Sequence, residues 1–300
     1  MEFERRFATE EACRAYLVRI RWPEGVRCGG CQSSRLWAAT RDRYHCAACG
    51  FQTSVLAGTI FQDTKADLRL WFRAMWYVTN QKSGVSALGL QRTLGLGSYR
   101  TAWRWLQKLR IAMVRSGRDR LTGEVEADEA FWGGPKPGKR GRGAAGKALI
   151  SVIAQVDGPR IGRIRLRRIP DASAQSLERA VHAAVEPGST VRTDGWSGYR
   201  QLGALGYRHE VVREEAAVGQ HLLPRANRVV ALFKRWLLGI HQGAITPKYL
   251  DAYLEEFTFR FNRRTSRWRG KLFYRLVQQA VQVPPRPQRR VQNVAATVAT

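Results

Sequence analysis

Four cysteines in two close pairs constrain this chain more than any other feature of it. Cys28-Gly-Gly-Cys31 and Cys46-Ala-Ala-Cys49 are separated by fourteen residues, within which Arg35-Leu-Trp-Ala and Arg43-Tyr-His read as short strands. Four thiolates at this spacing can close a tetrahedral zinc site, and the ion then replaces a core that so short a segment cannot build. Zn²⁺ held by Cys28, Cys31, Cys46 and Cys49 has no open position, so it staples a ribbon and does no chemistry. His45 adjoins Cys46 and is the less favoured alternative ligand. Cys13 lies outside the pattern, in a helix expected from Thr9 to Ile20, and reads as a core thiol. Paired cysteines behind an N-terminus without an apolar signal core are expected in a reducing compartment, hence in the cytoplasm.

The formal charge of +27 and a pI near 11.1 demand a polyanionic partner. Most of the excess is Arg, whose planar fork matches phosphate oxygens. Double-stranded DNA is therefore the first candidate. A membrane is the rival polyanion, but no apolar run approaches the roughly 20 residues that a span needs. With 300 residues the chain is expected to form two or three units.

From Thr64 the apolar period becomes helical, with Leu68, Trp71, Phe72, Met75 and Trp76 as a core stripe. Val85 to Leu94, a Gly95-Leu-Gly97 break, and a second helix from Tyr99 to Arg110 behind Ser98 give the layout of a helix-turn-helix. Tyr99, Trp103, Leu106 and Arg110 are expected to face inward. Arg100, Thr101, Arg104 and Lys108 would then face a major groove, unless the pair is an ordinary helical hairpin.

After Leu121 the texture changes to short β runs. Strands are expected at Glu124 to Phe131, Ala148 to Val156, Arg163 to Arg168 and Thr190 to Thr193, with a helix at Ala174 to Val185. Three successive strands, a helix and another strand suggest an antiparallel meander with a crossover into a mixed sheet. Asp128 sits within the first strand and Asp194 at the end of the last; acids at strand ends are where an open α/β fold places its chemistry. Neighbouring strands would bring the two together, and converging carboxylates hold Mg²⁺ or Mn²⁺, hard cations that offset the charge of a phosphodiester. The plainer alternatives are a solvated strand face for Asp128, since Glu124 and Glu126 share its side, and a turn residue for Asp194. Glu129 points the other way. Lys136, Lys139, Arg140 and Arg142 lie in a Gly- and Pro-rich loop expected to lie along DNA.

Pro224 opens a further helix on which Asn227 and Lys234 are two turns apart on one side. Asn227 could offer an amide oxygen to a metal and Lys234 an ammonium to a phosphate. Otherwise Asn227 bonds its own backbone and Lys234 is solvated. A last amphipathic helix buries Leu250, Tyr253, Leu254, Phe257 and Phe261. Arg263, Arg264 and Arg267 belong to a stretch from Thr258 to Arg290 with ten cations and no acid, read as DNA-backbone surface.

VEADEAFWGG, VRTDGWSGY, ANRVVALFKRWLLGIHQG and YLEEFTFRFNRR, in this order behind a four-Cys ribbon, resemble bacterial insertion-sequence DDE transposases with an N-terminal zinc ribbon and an RNase H-like catalytic domain. The resemblance runs from about Cys28 to Leu276. It implies a multi-domain α+β chain: a zinc ribbon with its N-terminal helix (1–60), a helix-turn-helix segment (61–120), an RNase H-like mixed α/β catalytic domain (121–276) and a basic tail (277–300). It further implies that Asp128, Asp194, Asn227 and Lys234 are the catalytic set and that Asp128, Asp194 and Asn227 hold the Mg²⁺. Asn227 stands where most of the family has Glu, as in a branch of it that carries Asn. The implied activity is binding of the element's terminal inverted repeats, followed by strand cleavage and transfer, by a homodimer or larger assembly on DNA. The alternative is a DNA-binding regulator with a dead nuclease domain.

Overall fold

The computed structural model describes residues 2–40, 42–115, 117–133, 147–212, 222–243, 245 and 247–284. The chain divides into two units, residues 116–265 forming the second and the remainder the first. The first begins with helices α1 (Glu2–Arg6) and α2 (Glu10–Arg21). Thr9 starts α2 by accepting the Ala12 N–H at 3.1 Å, which satisfies one of the orphan donors of the first turn. Strands β1 (Leu36–Thr40), β2 (Arg43–Cys46) and β3 (Gln52–Ser54) follow as an antiparallel sheet in sequence order.

Three helices complete this part: α3 (Leu68–Asn80), α4 (Ala87–Leu94) and α5 (Tyr99–Ala112). The expected α3 stripe is buried at Leu68, Trp71, Phe72 and Met75, and Trp76 stacks on Phe3. Gly95 ends α4 in the left-handed region (φ +62°), and Ser98 caps α5 through the Thr101 N–H. The inward stripe of α5 differs from expectation. Leu106 and Arg110 are buried, but Tyr99 is 54% exposed, and the apolar contact runs through Ala102, Trp105, Leu106 and Leu109. Trp105 sets this rotation by stacking on Trp71, with ring centroids 3.9 Å apart.

The second unit holds a five-stranded sheet made of β4 (Glu124–Trp132), β5 (Ala148–Asp157), β6 (Arg160–Ile169), β7 (Thr190–Thr193) and β8 (Arg208–Val211), in the order β6-β5-β4-β7-β8. β4, β5 and β6 are antiparallel, whereas β7 pairs in parallel with both β4 and β8. This is the expected meander with a crossover into a mixed sheet. Helix α6 (Ala174–Ala184) and a 3₁₀ turn (Ser197–Leu202) cover one face, and α7 (Pro224–His241) and α8 (Leu250–Phe261) the other. Period-two alternation divides β4 between them: Val125 and Ala127 pack beneath α6, while Ala130 packs beneath α7.

The chain then returns to the first unit as α9 (Arg269–Ala280). The domain end expected at 276 falls inside this helix, whereas the second unit stops at Thr265. The physical reason is the apolar side of α9: Phe273 meets the rings of Phe3, Phe7, Phe72 and Trp76, and Leu272, Leu276 and Val277 are buried with it.

Candidate functional site

The four ribbon cysteines converge. Their Sγ atoms lie within 4.8 Å of one another, with Cys28 to Cys49 at 3.5 Å and Cys31 to Cys46 at 3.7 Å. Bonds of about 2.3 Å in a tetrahedron set the sulfurs about 3.8 Å apart, so the cluster fits Zn²⁺. Backbone N–H groups turn toward the sulfurs as the knuckles require, Gly30 and Cys31 donating to Cys28 and Ala48 to Cys46. The Cys31 N–H, opposed by burial and joined by the Gly30 N–H and the neighbouring thiols, draws the Cys28 thiol down to about 6, which favours the thiolate a metal needs. Cys13 is a core thiol: burial first, then the nearby Glu10 and Asp67, push it up to about 12. Stripping the metal with a chelator is expected to melt β1–β3 and leave the five-stranded sheet folded. Hydrogen exchange checks this, since protection should vanish over 36–54 and persist over 148–169.

The second site is built on β4. Its parallel register with β7 runs Glu124 to Thr190, Val125 to Val191 and Glu126 to Arg192. The ladder ends at Glu126 and Arg192, and Asp128 and Asp194 each follow two residues later along adjacent strands, both near enough to Tyr199 to act on its phenol. Both are half-buried. Each carboxylate is oriented by a backbone donor that follows it: the Glu129 N–H reaches Asp128 Oδ1 at 2.7 Å, and the Trp196 N–H reaches Asp194 Oδ1 at 3.1 Å. Gly195 makes the turn after Asp194 with φ +80°, and Val211 Cγ1 lies only 2.8 Å from where a Cβ would stand. Tyr199, from the 3₁₀ turn, is buried in the cluster on the α6 face of the sheet. Burial first, then Glu129, Asp128 and Asp194, hold its phenol well above the usual range.

Glu126 decides how α7 meets this strand. It is 2% exposed, and its Oε2 accepts the N–H groups of Arg225 and Ala226 at 2.7 and 2.8 Å, while Arg225 Nη1 donates to Oε1 at 3.0 Å. The first turn of α7 has no side-chain cap of its own, since Leu223 stands at that position, so a carboxylate from the sheet satisfies the orphan donors. At the other end of β4, Phe233 packs on Trp132, with ring centroids 6.2 Å apart. Asp128 and Asn227 both lie between these two anchors. Asn227 Nδ2 donates to Leu223 O at 3.0 Å, which leaves Oδ1 as the acceptor of that amide. Lys234 is exposed two turns further along. The solvated strand face considered for Asp128 is thus not what its neighbours show: Glu126 is sealed, and Glu124 is paired with Arg192.

The expected DNA-contacting cations separate. Arg100 is exposed on α5, with Thr101 and Arg104 half-exposed, but Lys108 donates to Ile60 O at 2.9 Å and lies over the Trp71 ring. Desolvation lowers its pKa accordingly. Arg263 lies over Phe259, and Arg264 over Phe261 with its guanidinium bonded to the carbonyls of Ile161, Gly162 and Phe261, so Arg264 clamps the end of α8 to the start of β6. Arg267 is exposed. Lys136, Lys139, Arg140 and Arg142 lie outside the described residues. Among the described residues, no helix is long and apolar enough to cross a membrane.

The first unit thus holds a four-cysteine cluster fit for structural zinc, and the second a mixed five-stranded sheet. Residues 8–52 match the transposase zinc-ribbon domain and residues 120–262 the ISXO2-like transposase domain, together well over half of the chain. The chain belongs to the insertion-sequence transposases that this pair of domains defines. An uncharacterized protein in the transposable element ISH50 of Halobacterium salinarum is 27% identical over 273 residues, which cover 82% of this chain and 90% of that protein.

Proposed function

We propose that this chain is an active transposase that binds the terminal inverted repeats of its own insertion sequence, cuts DNA strands there and joins the 3′-hydroxyl ends to target DNA. The observation that supports the reading is the parallel pairing of β4 with β7, whose last pair lies two residues before Asp128 and Asp194, under a helix α7 anchored on Glu126. Two carboxylates and the Asn227 amide oxygen are the hard donors that Mg²⁺ or Mn²⁺ prefers. When bound there, such ions would offset phosphodiester charge and lower the pKa of a water. Asp128 and Asp194 would hold them, Asn227 would complete the set as a neutral donor, and Lys234 would take a phosphate further along the strand. Arg100, Thr101 and Arg104 would read or position duplex DNA, with Arg267 on its backbone. Arg263, Arg264, Lys108, Lys136, Lys139, Arg140 and Arg142 complete the proposed basic surface, the first three subject to the internal bonds described. Cutting at two ends requires two active sites held together, so a homodimer or larger assembly on DNA, acting in the cytoplasm, is part of the proposal. A relative residing in a transposable element supports it.

The amide at position 227 favours one rival, a regulator that binds ends and never cuts. The test is incubation of the purified chain with a duplex carrying the element end. Binding is expected with or without divalent cation, and nicking only with Mg²⁺ or Mn²⁺. Tight end binding with no product in either metal would replace the enzyme by the regulator.

A further inference from the structure

The outer face of the ribbon sheet has a composition that stapling does not require. Trp37 pairs with His45 across β1 and β2, and His45 with Gln52 across β2 and β3, so the three side chains share one face with Arg43. The alternate residues Tyr44, Cys46 and Thr53 face the other way, where Ala38 and Tyr44 line one cleft with Ala15 and Val18 of α2. On the outer face the Trp37 and His45 rings lie 4.7 Å apart, Trp37 is 52% exposed, and Arg43 Nη1 donates to Gln52 Oε1 at 2.9 Å. From 27 to 54 the sequence carries four Arg and one acid, Asp42, which Arg14 of α2 holds at 2.6 Å.

We infer that this face, with Trp37, Arg43, His45 and Gln52 at its centre, is a second duplex-DNA contact surface, separate from α5. The inference rests on the reading that the chain acts on DNA, and names where the ribbon takes part. Charge selects the occupant. A second copy of a chain with formal charge +27 would set like charge against a ribbon segment of four Arg and one acid, whereas a phosphate backbone neutralises it. Shape agrees, since three strands span about 10 Å and the major groove is about 12 Å wide. A guanidinium joined to a carboxamide offers several donors and an acceptor to base edges, and an indole beside an imidazole offers a flat apolar surface to a sugar or a thymine methyl.

The test uses the full chain and two fluorescent duplexes, one carrying the element end and one unrelated of equal length, titrated at several salt concentrations. Trp37→Ala and Arg43→Ala are compared with wild type and with Arg104→Ala on α5, with bound zinc measured for each. Each ribbon variant is expected to weaken end binding about tenfold with zinc content unchanged, and Arg43→Ala to reduce the salt slope by about 1. Unchanged affinity and slope in both ribbon variants, with Arg104→Ala weakened, would overturn the inference and leave the proposed function standing. A lower molecular mass in solution for Trp37→Ala with DNA affinity intact would also overturn it, in favour of self-association. Wild-type protein that binds neither duplex would sink the proposed function and this inference together.

Discussion

Asp128→Ala is expected to abolish strand cleavage, with a loss of at least about a thousandfold, while end binding stays within about threefold. A thousandfold is about 4 kcal/mol of transition-state stabilisation, the scale on which removal of one carboxylate from a divalent-ion site acts. Asp194→Ala should match it, because the proposed site shares its ions between the two acids and neither alone holds a hard dication well. Asn227→Ala should cost less, since it removes one neutral oxygen. Stability separates this reading from simple damage. Without metal, two half-buried carboxylates gathered in the proposed site repel, so loss of either charge should leave the melting temperature unchanged or raise it. Full cutting by all three variants would remove the assignment, and a lowered melting temperature would recast the aspartates as structural.

The sequence carries the parts of this design that are local. The alternation through Val125, Ala127 and Asp128 marks β4, the knuckle spacing marks the ribbon, and the Leu250 to Phe261 stripe marks α8, because each pattern is a record of one face repeated at a fixed period. The strands that lead to Asp128 and Asp194 are neighbours in the sheet, as a pairing of the two acids requires. What escapes is whatever depends on a distant partner. Glu126 reads as a solvated companion of Asp128, yet it is sealed by the first turn of α7, 99 and 100 residues away. One signal was present: Pro224 begins a helix whose preceding residue, Leu223, cannot cap it, so an acceptor had to come from elsewhere. The rotation of α5 was hidden for a related reason. Trp103 and Trp105 lie on nearly opposite sides of the helix and both are apolar enough to be core, and only the Trp71 ring chooses between them. Lys108 and Arg264 show that a cation in a basic chain can serve its own backbone carbonyls before any phosphate.

Glu126→Ala is expected to be the most damaging single change in the sheet unit, lowering its stability by about 3–5 kcal/mol, the usual cost of removing one member of a buried ion pair. The side chain is nine-tenths or more buried and does three things at once. It accepts two backbone N–H groups at the start of α7, it neutralises Arg225, and through Arg225 it joins the β5–β6 turn, since the same guanidinium donates to Gly158 O at 2.6 Å. Alanine would leave two helix donors without an acceptor and Arg225 without its carboxylate. Glu126→Gln keeps an acceptor for the backbone but sets an NH₂ against donors, so an intermediate loss is expected. Denaturant unfolding followed by hydrogen exchange over 148–169 measures both. The cleavage assay then distinguishes a strut from a ligand. A strut lost from beneath α7 disturbs Asn227 and Lys234 as well as stability, so unfolding midpoint and nicking should fall together. Wild-type stability with nicking abolished would instead place Glu126 among the metal-holding acids. Because Asp128 lies two residues further along the same face, rigidity at Glu126 would be what holds the amide at position 227 in the proposed site.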